Sequence, residues 1–204
     1  TLTPAVAQKI DRYLDLGKLE KNMKLVLQNT QVHIHADLIV GLPGETFQEI
    51  ENGFNQLFKI SPHEIQLGVL KLLKGTPIEK HIFDHQMKFS PLPPYEILEN
   101  SKLDYFSIQH FKRMARYLDL LFNHGNFPAL KNFVKNLDNP FQFFWNFSSY
   151  AFERHPQSNG ISLNNLKKLL EDFLLSSGSN ADEISSITLL NKNRPHKEES
   201  KHNK

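Results

Sequence analysis

The segment from residue 32 to residue 73 constrains the fold most, because two strand patterns flank a capped helix there. The letters VHIHADLIVGL alternate and are rich in β-branched residues, which predicts a first strand. Thr46 and Glu49 have the spacing of a capping box, and Pro62 ends the helix that they begin. The nearly apolar run from Ile65 to Leu73 predicts a second strand. The unit is therefore βαβ, and we expect parallel strands with a right-handed crossover.

Alternation along the first strand divides its side chains between two faces. One face is apolar, and the other carries His33, His35, Asp37, Ile39 and Gly41. The second strand is apolar on both faces, which is typical of a covered sheet or a barrel wall. We therefore predict that the first part of the chain is α/β and forms a segment of a parallel (βα) barrel.

The rest of the chain has a different pattern. Only helical periodicity is found from Tyr95 to about Leu175, after a Pro-rich break at residues 90–94. The end of the chain is rich in Ser, Asn and charged residues, which predicts disorder. We predict α/β then all-α organisation in three parts: a partial barrel at 1–90, a helical domain at 91–178 and a polar disordered tail at 179–204.

Composition excludes several classes of protein. The chain has no cysteine, so it cannot form disulfides, zinc–thiolate sites, thiol nucleophiles or an iron–sulfur cluster on its own cysteines. Its net charge of +2 is too small to imply nucleic acid or an acidic membrane surface. No apolar run approaches the roughly 20 residues of a membrane helix, and the first residues do not have the order of a secretory signal. We expect a cytoplasmic protein with neither a nucleic-acid nor a membrane partner.

The turn in DLIVGLPGET is the sharpest candidate for ligand binding. Gly41 and Gly44 allow a tight turn and the close approach of another group. The helix that follows presents backbone N–H groups at the carboxyl end of a strand, where ligands bind in parallel α/β folds. The same spacing is also found in turns that only connect a strand to a helix, and isolated glycine motifs are weak evidence.

A second candidate is a metal site on the first strand. His33, His35 and Asp37 lie on one face, and a His-x-His pattern could hold a divalent ion, as it does in barrel metallohydrolases. The alternative is a set of hydrogen-bonded polar residues inside or below a barrel. A hydrolase would need further ligands from other strand ends, where the second strand offers only Gln66 and Lys71.

Taken together, DLIVGLPGET and LKLLKGTPI resemble the fifth and sixth strands of the radical S-adenosylmethionine barrel. The series IQLGVLKLLKGTPI, PPYEILENSKLDYFSIQHF and LLFNHGNF is similar to cobalamin-binding members that carry a C-terminal helical domain of unknown function. The likeness extends to about His155. It implies S-adenosylmethionine, an iron–sulfur cluster and cobalamin as cofactors of the parent enzyme.

The resemblance also implies roles for individual residues on the first helix and first strand. Arg12 corresponds to the helix arginine that often meets the carboxylate of S-adenosylmethionine. Ile39 and Gly41 correspond to fifth-strand positions that pack near the adenine.

On the second strand, Gln66 and Leu67 correspond to positions where backbone and apolar atoms line the same pocket. Asp37 shares a strand face with Ile39 and Gly41, and that face would point into a barrel. These six positions are the predicted cofactor-binding residues, and no catalytic residue or metal ligand is predicted.

The chain departs from the family pattern in several respects. The resemblance implies a Cys-x-x-x-Cys-x-x-Cys loop, and this chain has no cysteine, about two barrel strands and no cobalamin domain. A complete barrel takes at least roughly 200 residues. We therefore expect the C-terminal portion of such an enzyme, whether split, truncated or the product of a decayed gene, and expect it to be inactive alone.

Two other readings stay open. The chain could be an interaction module that completes a barrel supplied by another polypeptide, which would carry the cluster and cobalamin domains. It could also be a metal-dependent hydrolase using His33, His35 and Asp37.

Overall fold

The computed structural model describes residues 1–156 and 160–191. The helices in these residues are α1 (Pro4–Lys9), α2 (Leu16–Asn29), α3 (Phe47–Ile60), α4 (Tyr105–Leu118), α5 (Pro128–Lys135), α6 (Pro140–Arg154), α7 (Leu163–Ser176) and α8 (Ala181–Ile187). The strands are β1 (His35–Val40), β2 (Glu64–Val69), β3 (Lys88–Phe89) and β4 (Ile97–Glu99). A 3₁₀ helix occupies Pro77–His81, and a turn of π-helix at Asp119–Asn123 continues α4.

The β1–α3–β2 unit confirms the predicted βαβ pattern. β1 and β2 pair in parallel, with Ala36 opposite Ile65. The capping box is present: the Thr46 hydroxyl accepts a hydrogen bond from the Glu49 amide at 3.3 Å, and the Glu49 carboxylate accepts one from the Thr46 amide at 2.8 Å. The second strand ends at Val69 rather than continuing to residue 73.

One face of the two-stranded sheet is covered and the other is open. α3 packs against β1 and α4 packs against β2. The side chains buried on that side are Leu38, Val40, Ile65 and Leu67. On the opposite face, His35, Asp37 and Gln66 are exposed. The described residues are thus mixed α/β, and this small parallel sheet is compatible with a barrel segment without forming a barrel.

The outer edge of β2 is covered at both ends by other parts of the chain. The Asn123 side chain donates to the Ile65 carbonyl at 2.9 Å and accepts from the Ile65 amide at 3.0 Å, as a neighbouring strand would. Just beyond β2, the Ile97 amide donates to the Leu70 carbonyl at 2.9 Å. β4 pairs antiparallel with β3, so a small hairpin covers this end of the edge. In the part of the chain that the structure describes, β1 pairs with β2 alone.

Aromatic side chains join α3 to α6. Phe54 and Phe58 of α3 are buried, and the Phe54 ring lies 5.7 Å from that of Phe141. Beside these rings, Asn139 donates to the Glu51 carboxylate at 2.6 Å, and its carbonyl oxygen accepts from Asn55 at 2.8 Å. The apolar cluster is continuous from α1 to α8, so the α/β part and the helices share a core.

Two predictions for the second half of the chain are wrong. Residues 97–99 are a strand rather than helix, and the first α-helix after the Pro-rich break begins at Tyr105. The predicted disorder does not hold for Ala181–Ile187, which form α8 with Ile184 and Ile187 buried. The part of the predicted tail at 192–204 lies outside the described residues, and the predicted domain boundaries at 90 and 178 stay predictions.

Candidate functional site

The carboxyl end of β1 runs into a glycine loop that is packed from both sides. Gly41 and Gly44 have φ values of +95° and +74°, which glycine adopts without steric cost. A Cβ at Gly41 would lie 2.7 Å from Cγ2 of Ile97. A Cβ at Gly44 would collide with the Lys9 ammonium group and lie 2.9 Å from Cε1 of His85. Gly41 is therefore required by close approach as well as by backbone conformation, whereas at Gly44 the positive φ is the main requirement because the end of the Lys9 side chain can move aside.

Asn100 holds this loop from the hairpin side, and its role was missed in the sequence analysis. It is buried, and its amide donates to the Gly41 carbonyl at 3.2 Å. Its side-chain oxygen accepts from the amides of Lys102 and Leu103, both at 2.9 Å. The signal that could have identified it is the Asn-Ser pair, which favours a turn where we predicted helix.

The pKa values of two carboxyl groups near the start of α3 are shifted in opposite directions. Glu45 is only 2% exposed and its Oε2 has no hydrogen-bond partner, and burial raises the pKa of this carboxyl group. Hydrogen bonds from Thr46 lower the pKa of Glu49. Glu49 therefore caps the helix as an anion, whereas burial disfavours the charged form of Glu45.

The raised pKa of Glu45 predicts a pH dependence of stability. The folded state holds this proton to a higher pH than the unfolded state does, so the stabilisation is full below the unfolded pKa and is lost as pH rises through the folded pKa. Glu45→Gln removes the ionisation. We expect the variant to lose less stability than the parent chain between pH 4.5 and pH 8, measured by urea unfolding at each pH.

The matched control for this experiment is Glu153→Gln, at a carboxylate whose side chain is 74% exposed. It should keep the parent pH profile. A Glu45→Gln profile that parallels the parent chain over the whole range would contradict a raised pKa at Glu45.

The open face of the sheet brings together three of the predicted cofactor-binding side chains. Asp37 is directly opposite Gln66, and Ile39 is opposite Gly68. A Cβ at Gly68 would lie 3.2 Å from Cδ1 of Ile39, so the isoleucine side chain lies over the glycine. This face therefore has a polar pair, Asp37 and Gln66, and next to it, towards Gly41, a flat apolar surface formed by Ile39 over Gly68.

The remaining predicted residues are placed differently. The Leu67 side chain is buried on the covered face, so it does not share a surface with the Gln66 side chain. Arg12 is exposed in the connection between α1 and α2, next to Asp11, whose φ is +57°. The roles of all six residues in cofactor binding stay predictions.

The alternative metal site of His33, His35 and Asp37 differs in one member from the group that the structure brings together. The group in the described residues whose ligand atoms lie within 4.8 Å of one another is His33, His35 and Glu64. Asp37 is not part of it, because its register partner across the sheet is Gln66, whereas Glu64 is the partner of His35. Glu64 was missed because the second strand was predicted to begin one residue later. The group lies at the amino ends of the strands, away from the glycine loop.

The donor set allows a test of the cofactors that the resemblance implies. An iron–sulfur cluster does not fit this chain, because the chain has no cysteine to bind it. A nucleoside fits the open face better, since Ile39 and Gly68 provide a flat apolar surface and the Asp37 and Gln66 side chains can hydrogen-bond. The chain could therefore form one wall of a nucleoside pocket and could not hold a cluster.

Comparison with known proteins gives one family. A family model described as "Protein of unknown function (DUF4080)" matches residues 83–196, more than half of the chain. The matched segment begins after β2 and includes the hairpin and the helices from α4 to α8. No curated protein matches the chain. Among the described helices, none has the length and apolar character needed to cross a membrane.

Proposed function

The chain belongs to the DUF4080 family, and from that premise we propose that it is the C-terminal portion of a radical S-adenosylmethionine iron–sulfur enzyme of the cobalamin-binding type. Domains of this family are typically found in such proteins. The observation that carries the proposal is the β1–α3–β2 unit, which has one open face and one edge already closed. In the proposal these strands are the last two of a barrel, and the helices are its C-terminal accessory domain.

The closed edge of β2 supports its place as a last strand. Asn123 occupies the backbone groups of Ile65 at the start of this edge, and the hairpin occupies the Leu70 carbonyl just beyond its end, so both ends that a further neighbour of β2 would pair with are covered. The carbonyls of Ile34 and Val40 accept hydrogen bonds from the β2 side. By alternation, the backbone groups of His35, Asp37 and Ile39 point to the other edge of β1, where an additional strand would pair.

The open face would then point into the barrel and contribute to the S-adenosylmethionine pocket. Ile39 and Gly68 would pack on the adenine, Asp37 and Gln66 would hydrogen-bond to the nucleoside, and the Gly41 backbone would close that end. Leu67 would contribute backbone only, and Arg12 would bind the carboxylate of S-adenosylmethionine. The bound cofactors would supply reductive cleavage of S-adenosylmethionine or methyl transfer through cobalamin.

The proposal makes this chain inactive alone. Its cysteine-free sequence cannot bind the cluster, so the chain incubated anaerobically with iron, sulfide, reductant and S-adenosylmethionine should yield no 5′-deoxyadenosine above a blank. Formation of 5′-deoxyadenosine by the chain alone would contradict the proposal.

The positive test is complementation through the free edge of β1. The second component is the polypeptide segment encoded upstream of Thr1, whether in the same or a separate reading frame, and the proposal fails if that segment carries no three clustered cysteines. Asp37→Pro removes an N–H from the free edge and leaves the hydrogen bonds to β2 in place. We expect it to weaken association with that polypeptide at least tenfold, measured by isothermal titration calorimetry under anaerobic conditions.

The matched control is Asp37→Asn, which keeps the backbone N–H. It should associate normally and weaken S-adenosylmethionine binding by the assembled complex, because only the side chain changes. Equal association of the proline and asparagine variants would contradict pairing at this edge. Circular dichroism on both variants separates this result from loss of fold.

A second candidate function is an interaction module that completes a barrel without contributing to the cofactor pocket. The free edge of β1 favours this function too. In that case the complex would form, and the variants Asp37→Asn and Gln66→Ala would leave S-adenosylmethionine affinity unchanged. A cytoplasmic location belongs to both proposals.

A further inference from the structure

A compact group of donor atoms lies at the amino ends of β1 and β2. His33 comes just before β1, and His35 is its first residue, so alternation places both imidazoles on one face. Glu64 is the first residue of β2 and the register partner of His35. At about 3.3 Å per residue, His35 is about 20 Å along the strand from Gly41. The group is therefore separate from the glycine loop and from the proposed cofactor pocket.

The carboxylate of Glu64 already faces both imidazoles. Its Oε1 lies 3.1 Å from Nε2 of His33, and its Oε2 lies 3.1 Å from Nδ1 of His35. All three ligand atoms lie within 4.8 Å of one another. Zinc bonds of about 2.1 Å place tetrahedral ligands about 3.4 Å apart. Side-chain movements on the order of 1 Å would meet that geometry, and the half-exposed histidine side chains have room to make them.

His63 supports the ring of His33. The two imidazoles stack with centroids 4.5 Å apart and planes inclined by 27°. Nδ1 of His63 accepts a hydrogen bond from the Ile34 amide at 3.0 Å, which holds the ring in place and directs its proton to Nε2. His63 is therefore a positioning residue that limits the motion of His33.

Among the described residues, Lys131 is a cation near the group, and its ammonium group is directed to backbone carbonyls. Nζ of Lys131 lies 3.3 Å from the carbonyl of His63 and 3.4 Å from that of Pro62. The charged and titratable groups that face the donors are thus Lys131 and His63, beside the donors themselves.

We propose that His33, His35 and Glu64 bind one divalent transition-metal ion, for which zinc is the best match. Two imidazoles and one carboxylate are a common zinc donor set, and water would complete the coordination. The ion would link the two strands across 31 residues of sequence, between His33 and Glu64. An ion that binds the folded chain and not the unfolded chain stabilises the folded state. The ion would therefore stabilise the amino-terminal end of the β1–β2 sheet.

The test uses the whole chain, free of affinity tags and dialysed against a chelator. Titration with zinc chloride in a calorimeter should give one ion per chain and a higher melting temperature. Glu64→Gln and His35→Ala should each weaken zinc binding at least tenfold. His63→Ala leaves all three ligands in place and should weaken zinc binding less than either ligand variant does. His63→Phe restores the stacked ring and should recover the zinc affinity that His63→Ala loses.

The matched control is His124→Ala. His124 also pairs with a carboxylate, at 3.2 Å from Asp119, and lacks a second histidine. Its removal should leave zinc affinity unchanged. The melting temperature of each variant without metal shows whether it is folded.

A measurement on the unmodified chain avoids the question of folding altogether. In long-range ¹H–¹⁵N spectra, zinc should shift the imidazole nitrogens of His33 and His35 first and leave His124 unaffected. The proposal is overturned by a chain that binds no zinc, by binding that persists in both ligand variants, or by shifts spread evenly over all histidines. None of these results depends on the proposed enzyme function.

Discussion

Phe54→Ala is expected to lower the free energy of unfolding by about 3–5 kcal/mol. Phe54 is fully buried, and its ring centroid lies 5.7 Å from that of Phe141 and 6.0 Å from that of Phe144. The α3 ring therefore fills the junction with α6, and its removal would leave a cavity between two helices that cannot easily move together. Urea unfolding followed by circular dichroism and by the fluorescence of Trp145, the only tryptophan, measures the change.

The control for this prediction is Phe106→Ala on α4, where the side chain is 79% exposed. Its effect should stay within about 0.5 kcal/mol. If the two variants unfolded at the same urea concentration, the junction between α3 and α6 would not be a main source of stability.

Gly41→Ala is expected to cost about 2–4 kcal/mol, from backbone strain together with a steric clash. The residue has a φ of +95°, and the new Cβ would lie 2.7 Å from Cγ2 of Ile97. Ile97 is 1% exposed and cannot move without shifting β4. The same urea experiment measures this cost.

A double-mutant cycle separates the two causes. Ile97→Ala removes the clashing methyl group, so the double variant should be more stable than the sum of the single changes predicts. The strain at φ remains in both backgrounds. Additive effects would show that Ile97 does not restrict the loop.

The sequence could predict the β1–α3–β2 unit because its signals are local. The capping box depends on two residues three positions apart, and both of its hydrogen bonds are found. Parallel pairing then follows from the length of the connection. Neither inference requires knowledge of distant contacts.

The hairpin could not be predicted in this way, because it depends on contacts far apart in the chain. Ile97 is in a segment that we predicted to be helical, and its strand conformation is stabilised by the hydrogen bond to Leu70 and by packing on Gly41. Likewise, α8 is short and polar, and it forms where Ile184 and Ile187 are buried and α5 and α7 pack against it. Tertiary burial overrides local preference in both segments.

The candidate site was predicted in part for a similar reason. Alternation correctly placed Asp37 and Ile39 on one face of β1. It could not identify Glu64 as the carboxylate near His33 and His35, because the register between two strands is not encoded in either strand alone.

The covered outer edge of β2 determines at which edge of the sheet a further strand is expected to pair. Because Asn123 and the hairpin cover both ends of that edge, we expect a strand that enlarges the sheet to join beside β1. The side chains of that strand would alternate between the two faces, as those of β1 do. We expect apolar residues on the face covered by α3 and polar or small residues on the open face. A candidate neighbour can accordingly be recognised by its alternation before any complex is isolated.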